Sequence, residues 1–281
     1  MRVIGDLKKV NLLVRKIKRE GKSIGFVPTM GALHEGHLSL IRQAKRDTDF
    51  AVVSIFVNPK QFGPQEDLKR YPKPLKKDLA LCRKLKVDLI FLPQVKEIYP
   101  DGFATFVNVF GLSEMLCGAN RPGHFRGVAT VVTKLLNIIS PDLLYLGQKD
   151  AQQALIICRM VEDLNFPVKV KVMPVVRDED GLALSSRNAY LNKSQLKEAQ
   201  VLFKALSLAK VMIEHGQTNP GRIIQKIQDL IQNKKQAKVD YIAVVDPQSL
   251  ISLKQIGSEA LVCLAVKFGK TRLIDNLRIR V

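Results

Sequence analysis

The sequence predicts an α/β protein in which a doubly wound, Rossmann-like parallel sheet is followed by a smaller α+β domain. Apolar, strand-like runs alternate with amphipathic helical patterns through the first two thirds of the chain. These runs are apolar on both faces, which is typical of parallel strands that helices cover on both sides. The alternation ends near residue 176, where a different pattern begins.

The first domain is expected over residues 1–176. Near its start, apolar residues recur at the spacing of an amphipathic helix, namely Val10, Leu13, Val14 and Ile17. The strands predicted after this helix are residues 23–27, 50–57, 88–92 and 143–146. The helices predicted between them are residues 38–46, 75–86 and 128–139. Ligands of such sheets bind beyond the carboxyl ends of the strands, so we expect the segments that follow the strands to form one cleft.

The second domain is expected over residues 177–281, as a smaller α+β lid. A polar turn at residues 177–181 separates it from the first domain. The predicted helices are residues 195–214 and 222–232, and the predicted strands are residues 239–245, 260–268 and 273–281.

Composition is that of an ordinary globular protein. The 281 residues are 46% hydrophobic and 25% charged. No apolar run reaches the ~18 residues needed to span a bilayer, and the N-terminus lacks the pattern of a secretory signal. The four cysteines are dispersed, so their spacing predicts neither a disulfide framework nor a metal site. We therefore expect a cytoplasmic protein with no membrane association.

The formal net charge of +19 raises the question of a nucleic-acid partner. The basic residues are spread over both parts of the chain and form no tail. Aromatic residues, which stack on unpaired bases, make up 6% of the chain, and tryptophan is absent from the sequence. A nucleic-acid partner is therefore disfavoured.

The most informative motif is residues 28–37, which follow the first predicted strand. Glycines there allow a close turn into a helix, and His34 and His37 lie at the start of that helix. Helix N-termini bind phosphate through backbone N–H groups and the helix dipole, and two imidazoles add further donors. The motif therefore predicts nucleotidyl transfer, by attack on the α-phosphate of a nucleotide. Zinc is disfavoured because it would need a third ligand, whereas Glu35 points elsewhere at the helix start and no cysteine is near.

Three further segments have residue types that suit such a site. Residues 58–63 contain amides that can bind a hydroxyl or a carboxylate. Lys149 can reach a phosphate, and Asp150 can bind a ribose hydroxyl or Mg²⁺. Residues 184–187 place two hydroxyls beside a guanidinium, as a phosphate clamp does. From the residues alone, a plain turn remains open for residues 58–63 and an exposed helix cap for residues 147–153. The Ser-Ser-Arg sequence at residues 185–187 is by itself common and a weak signal.

Taken together, the motifs resemble the pantoate–β-alanine ligase (pantothenate synthetase) family along nearly the whole chain. The matching segments are residues 27–38, 56–63, 121–128, 147–153, 184–188, 240–247 and 272–276. Without the other segments, the pair of histidines and the serine–arginine loop would indicate only the wider nucleotidyltransferase superfamily.

The resemblance implies a ligase that activates pantoate with ATP as pantoyl adenylate, with Mg²⁺ assisting, and then transfers the pantoyl group to β-alanine. It also implies a homodimer joined through the N-terminal domain. The residues implied at the ATP site are Met30, Gly31, Ala32, Leu33, His34, Glu35, Gly36, His37, Gly147, Gln148, Lys149, Asp150, Val176, Leu184, Ser185, Ser186 and Arg187. The residues implied to contact pantoate are Gln61 and Gln153, with Asn58, Val131 and Val132 in the same pocket.

The chemistry indicates what the catalytic residues do. In the family, His37 matches the position of a catalytic acid. Because a carboxylate nucleophile is already ionised at neutral pH, its attack needs no general base. We therefore interpret His34, His37, Lys149 and Arg187 first as stabilisers of the charge that develops on phosphorus. Asp150 is the candidate metal ligand.

Two other functions remain open. The first is another small-molecule adenylyl- or cytidylyltransferase, which would release its nucleotidylated product without an amine acceptor. The second is a basic nucleic-acid-binding protein on the same fold. The amides of Gln61 and Gln153 favour the ligase, since a hydroxy acid needs neutral hydrogen-bonding groups.

Overall fold

The computed structural model describes residues 1–64 and 66–281, which divide into two compact units. The first unit consists of Met1–Glu114, Gly118–Gly147 and Gln153–Pro174. The second unit consists of Met115–Cys117, Gln148–Gln152 and Val175–Val281. Within the described residues, every helix is too short or too polar to cross a bilayer.

Helices and strands alternate along the first unit and separate along the second. The helices are α1 (Leu7–Arg19), α2 (Glu35–Asp47), α3 (Leu75–Lys84), α4 (Val95–Ile98), α5 (His124–Ile139), α6 (Ala151–Asp163), α7 (Lys193–Ala199), α8 (Val201–Glu214) and α9 (Pro220–Gln232). The strands are β1 (Arg2–Ile4), β2 (Ile24–Thr29), β3 (Phe50–Ile55), β4 (Leu89–Phe91), β5 (Leu143–Gly147), β6 (Lys169–Met173), β7 (Ala237–Val245), β8 (Glu259–Phe268) and β9 (Thr271–Arg280).

Across the described residues, the first unit contains a six-stranded sheet of order β1-β4-β3-β2-β5-β6, and each pairing is parallel. The chain adds β3 and β4 on one side of β2, and β5 and β6 on the other. The carboxyl ends of β2, β3 and β5 therefore lie next to one another, at the point where the strand order reverses. Ligands of open parallel sheets bind at this point.

The core of the first unit explains the fully apolar strands. One cluster packs α2 and α3 onto the sheet and includes Ile41, Ala44, Val53 and Cys82. The helix α5 contacts β2, and α1 packs against α5. Strands β2, β3 and β4 are consequently buried along almost their whole length. The predicted α/β class is confirmed.

Two strands were not predicted from the sequence, and both lie at an edge of this sheet. Strand β1 has only three residues, too few to form a pattern. Strand β6 alternates lysine and apolar residues and is partly exposed. Edge strands are commonly short or charged because they are covered on fewer sides. Their sequences therefore carry a weaker signal than those of the central strands.

Among the described residues of the second unit, three strands form an antiparallel sheet of order β7-β8-β9, backed by α8 and α9. The apolar faces of these helices pack on the sheet in one core, which includes Leu206, Ile227, Val262 and Leu264. The helix predicted over residues 195–214 is interrupted at Gln200, between α7 and α8. The predicted α+β character of this part is confirmed.

Candidate active site

The turn between β2 and α2 carries the two histidines. Gly31 (φ +82°) and Ala32 (φ +51°) adopt the left-handed conformation that reverses the chain. His34 is the N-cap of α2. The ring centroids of His34 and His37 are 4.1 Å apart, with the ring planes inclined at 50°.

The hydrogen bonds of this turn fix the tautomer of each neutral imidazole. His34 Nδ1 accepts a hydrogen bond from the Gly36 N–H at 3.2 Å, and His37 Nδ1 accepts one from the His34 N–H at 3.4 Å. A ring nitrogen that accepts carries no hydrogen, so the neutral ring carries its hydrogen on Nε2. Both rings therefore present an Nε2–H donor, which suits an anionic ligand.

The carboxylate of Asp78 holds the same turn. Asp78 lies on α3, and its side chain is almost fully buried. Its Oδ2 accepts from the Ala32 N–H at 2.9 Å, and its Oδ1 accepts from the Leu33 N–H at 2.8 Å. Asp78 was assigned no role from the sequence, because more than forty residues separate it from the turn and no local pattern links them.

This arrangement determines what the backbone N–H groups of the turn bind. The sequence led us to expect that the backbone N–H groups of the turn face a phosphate. In the structure, the N–H groups of Gly31, Ala32, Leu33 and Gly36 each donate to a side chain of the protein. The expectation is therefore wrong for these four groups, which donate within the protein.

Asn58 is buried, and its amide is engaged by the protein. Its Nδ2 donates to Gln61 Oε1 at 2.9 Å and to the Gly127 carbonyl at 3.1 Å. Its Oδ1 accepts from the Lys60 N–H at 3.2 Å and from the Tyr99 hydroxyl at 2.8 Å. Burial raises the pKa of Tyr99, which keeps the phenol a donor. Asn58, expected in the pantoate pocket, therefore hydrogen-bonds the amide of Gln61, which was expected to contact pantoate.

Gln61 connects the segments that follow β2 and β3. Its Nε2 lies 3.2 Å from Met30 Sδ, so two residues predicted in different parts of the site are neighbours. Helix α5 packs on the short turn Pro59–Gln61, and Gly127 permits this, because a Cβ there would lie 2.2 Å from the Lys60 carbonyl oxygen. Val131 and Val132, on the same helix, are buried.

The first residue of α5 and the loop before it hold the backbone of Gln61. His124 Nδ1 lies 2.7 Å from the Gln61 carbonyl, and its Nε2 lies 2.9 Å from an Arg121 nitrogen. Arg121 also forms two hydrogen bonds with the carboxylate of Glu66, at 2.6 and 2.7 Å. Burial opposes ionisation of Glu66, but Arg121 outweighs it and lowers the pKa of Glu66. From the sequence, residues 121–128 were identified only as a segment that matches the family, and Glu66 was not identified.

In the second unit, Lys149 lies on the short turn Gln148–Asp150. Its Nζ is 3.6 Å from Asp150 Oδ1. The side chain of Asp150 is half exposed, whereas that of Lys149 is mostly covered. The turn therefore offers one cation and one accessible carboxylate side by side.

The serine–arginine loop is built on a short backbone pairing. The Leu184 N–H donates to the Val176 carbonyl at 3.0 Å, which brings these two predicted residues together. Ser185 Oγ accepts from the Arg187 N–H at 3.2 Å and so begins the turn Ser186–Tyr190. This hydrogen bond fixes the backbone on which the guanidinium is mounted.

The structure thus assembles the predicted residues as separate sets. In the first unit it joins Met30, His34, His37 and Gln61 around the carboxyl ends of β2 and β3. Glu35, expected at the ATP site, forms an ion pair with Arg42 along α2. Gln153 lies half-buried on α6.

No group of three or more potential metal ligands occurs among residues 1–64 and 66–281. All four cysteines fall within these residues and are free thiols. Mg²⁺ typically uses one or two carboxylates together with substrate phosphates and waters. The half-exposed carboxylate of Asp150 is compatible with that mode of binding.

Comparison with known proteins gives consistent results. Residues 2–278 match the family model described as pantoate-beta-alanine ligase. The chain is 52% identical to the pantothenate synthetase of Acetivibrio thermocellus and 50% identical to that of Caldicellulosiruptor saccharolyticus, each over all of both chains.

Two solved structures are similar over nearly the whole chain. The pantothenate synthetase of Thermus thermophilus has a TM-score of 0.94 at 44% identity, and the match covers 99% of both chains. The pantoate-beta-alanine ligase of Francisella tularensis, complexed with beta-gamma ATP and beta-alanine, has a TM-score of 0.82 at 37% identity. That match covers 99% of this chain and 97% of the other.

Proposed function

The chain belongs to the pantoate–β-alanine ligase family, and from this premise we propose that it makes pantothenate in two steps through a pantoyl-adenylate intermediate. In the first step, a carboxylate oxygen of pantoate bonds to the α-phosphorus of ATP, and pyrophosphate leaves with the electron pair of the broken P–O bond. In the second, the amine of β-alanine bonds to the acyl carbon and loses a proton, while AMP leaves with the electron pair of the broken C–O bond.

The observation that carries this proposal is the pair of adjacent imidazoles, both presenting Nε2–H, beside Met30 and Gln61 at the ends of neighbouring parallel strands. The pantoate carboxylate is already ionised, so the first step needs donors around the α-phosphorus rather than a base. His34 and His37 supply such donors in the first unit. Lys149 and Arg187 supply positive charge from the second unit.

We assign ATP binding to the turn of residues 30–37, to residues 147–150, and to Val176 with residues 184–187. We assign pantoate to the amides of Gln61 and Gln153, with Val131 and Val132 as apolar neighbours. Asn58 acts through Gln61, because its own hydrogen-bonding groups are engaged. The Francisella tularensis relative was complexed with an ATP ligand and β-alanine, which supports the same substrates here.

We propose in addition a role for each domain, a ligand for Mg²⁺ and a homodimeric assembly. Residues 1–176 act as the nucleotide- and pantoate-binding domain, apart from residues 115–117, 148–152 and 175–176, which belong to the second unit. Residues 177–281 act as the lid. Asp150 is the carboxylate that would hold Mg²⁺, which supplies positive charge to the phosphates when bound. The chain acts as a homodimer joined through its first unit, where Phe110 is 83% exposed and Phe106 is also exposed.

The decisive experiment is ATP–pyrophosphate exchange without any amine. Pantoate is compared with a panel of other hydroxy acids, and we expect exchange only with pantoate. Addition of β-alanine should then release AMP and pantothenate. Exchange that ignores pantoate would remove the substrate assignment, and nucleotidylated product without response to an amine would favour a simple nucleotidyltransferase.

A further inference from the structure

One buried side chain of the second unit binds the turn that carries Lys149. Asn276 lies on β9 and is 4% exposed. Its Nδ2 donates to the carbonyl oxygens of Gln148 and Lys149, both at 2.9 Å. Its Oδ1 accepts from Gln148 Nε2 at 3.0 Å. The whole amide is therefore directed at one short segment of chain.

The chemistry of this contact depends on a primary amide. One amide nitrogen supplies two hydrogens to two carbonyls, while the amide oxygen accepts a third hydrogen bond. Aspartate at position 276 would place an oxygen against both carbonyl oxygens, and serine has a single hydrogen to donate. A buried carbonyl left without a donor costs about 1–3 kcal/mol. The conformation of the turn therefore depends on Asn276.

Asn276 is itself held in place. Its backbone N–H donates to Asp275 Oδ1 at 2.8 Å. The carboxylate of Asp275 is fully buried and forms hydrogen bonds of 2.6 and 3.0 Å with Arg177. Asn276 also pairs with Cys263 in the register of β8 and β9. The amide thus projects from a fixed point of the sheet.

The two carbonyls that Asn276 binds belong to the peptide groups on either side of the Lys149 Cα. Fixing both peptide planes fixes the direction of the Cα–Cβ bond, and with it the region that the ammonium group can reach. We propose that Asn276 is a positioning residue that aims Lys149 at the phosphates of ATP. This inference rests on the proposed function, in which Lys149 is a phosphate-binding cation.

A double-mutant cycle between Asn276→Ala and Lys149→Gln tests this coupling. ATP affinity is measured by calorimetry, and the kcat of ATP–pyrophosphate exchange and the KM for pantoate are measured in parallel. We expect Asn276→Ala alone to weaken ATP binding roughly 10-fold and to lower exchange ~10²-fold, as misplacement of a catalytic group by about 1 Å does. The KM for pantoate should stay unchanged. When Lys149 is already replaced by glutamine, the further change Asn276→Ala should lower ATP affinity and exchange by less than about 3-fold each.

Asn233→Ala is the matched control, since Asn233 is exposed in the same unit, and it should leave all three quantities unchanged. Asn276→Ser retains one donor, so its losses of ATP affinity and of exchange should be smaller than those of Asn276→Ala. This variant provides a second test if the alanine variant folds poorly. Multiplicative losses in the double mutant, or a wild-type ATP affinity for Asn276→Ala, would overturn the inference. If the parent protein shows no exchange with pantoate, the proposed function fails instead, and the cycle in ATP affinity still decides whether Asn276 acts through Lys149.

Discussion

Replacing Asp78 by asparagine changes the site most directly, because it alters the support of the histidine turn without touching a histidine. Asparagine has nearly the same shape as aspartate but only one accepting atom in its amide. Either the Ala32 N–H or the Leu33 N–H then faces an NH₂ group and lacks an acceptor. Ala32 would remain in its left-handed conformation with less to hold it there.

The magnitude follows from the two hydrogen bonds of 2.9 and 2.8 Å. Hydrogen bonds to charged groups contribute about 1.5–3 kcal/mol each, and a buried donor without a partner costs about 1–3 kcal/mol. We expect Asp78→Asn to lower the free energy of unfolding by about 2–4 kcal/mol. For a protein of this size, that corresponds to a fall in Tm of roughly 3–7 °C. Displacement of the imidazoles should lower ATP–pyrophosphate exchange ~10²-fold.

The assay combines thermal unfolding with exchange measured well below the Tm of the variant. Asp101→Asn is the matched control, since this carboxylate is 92% exposed and lies 3.7 Å from the Lys96 ammonium in a solvated ion pair. The control should change stability by less than about 0.5 kcal/mol. If Asp78→Asn retained both the parental Tm and the parental exchange rate, the turn would not depend on this carboxylate.

Three further predictions concern other parts of the first unit. His34→Gln and His37→Gln should each lower exchange ~10²–10³-fold, as loss of one transition-state donor does, and exchange at the parental rate would exclude the imidazoles from this role. Asn58→Asp replaces an NH₂ donor by an oxygen that faces Gln61 Oε1 and the Gly127 carbonyl oxygen. The KM for pantoate should therefore rise roughly 10- to 100-fold. An equal rise in the KM for ATP would contradict a specific effect on pantoate. A hydrogen bond from Lys171 is the main cause that lowers the pKa of Asp47 from 3.8 to about 2. The stabilising effect of the Asp47 carboxylate is therefore complete above the unfolded pKa and is lost as pH falls toward 2, so a plot of Tm against pH between 4 and 2 should be flatter for Asp47→Asn than for the parent.

Much of the fold could be predicted because its signals are local. The central strands β2 and β3 are covered on both faces, which demands uninterrupted apolar runs that are visible in the sequence. The edge strands β1 and β6 were missed, because a strand of three residues and one that alternates lysine with valine satisfy weaker constraints. The break at Gln200 was missed because apolar helical spacing continues across it from α7 into α8.

The sequence by itself determined the fold class, the family resemblance and the candidate residues that lie in contiguous motifs, since turn, helix start and functional side chain are there encoded within about ten residues. Only the tertiary structure decided which groups support them. Asp78 binds the histidine turn, and Asn276 binds the turn of Lys149 across more than a hundred residues of sequence. Hydrogen bonds between distant segments depend on how the sheets place those segments, and no local pattern of residues records that placement.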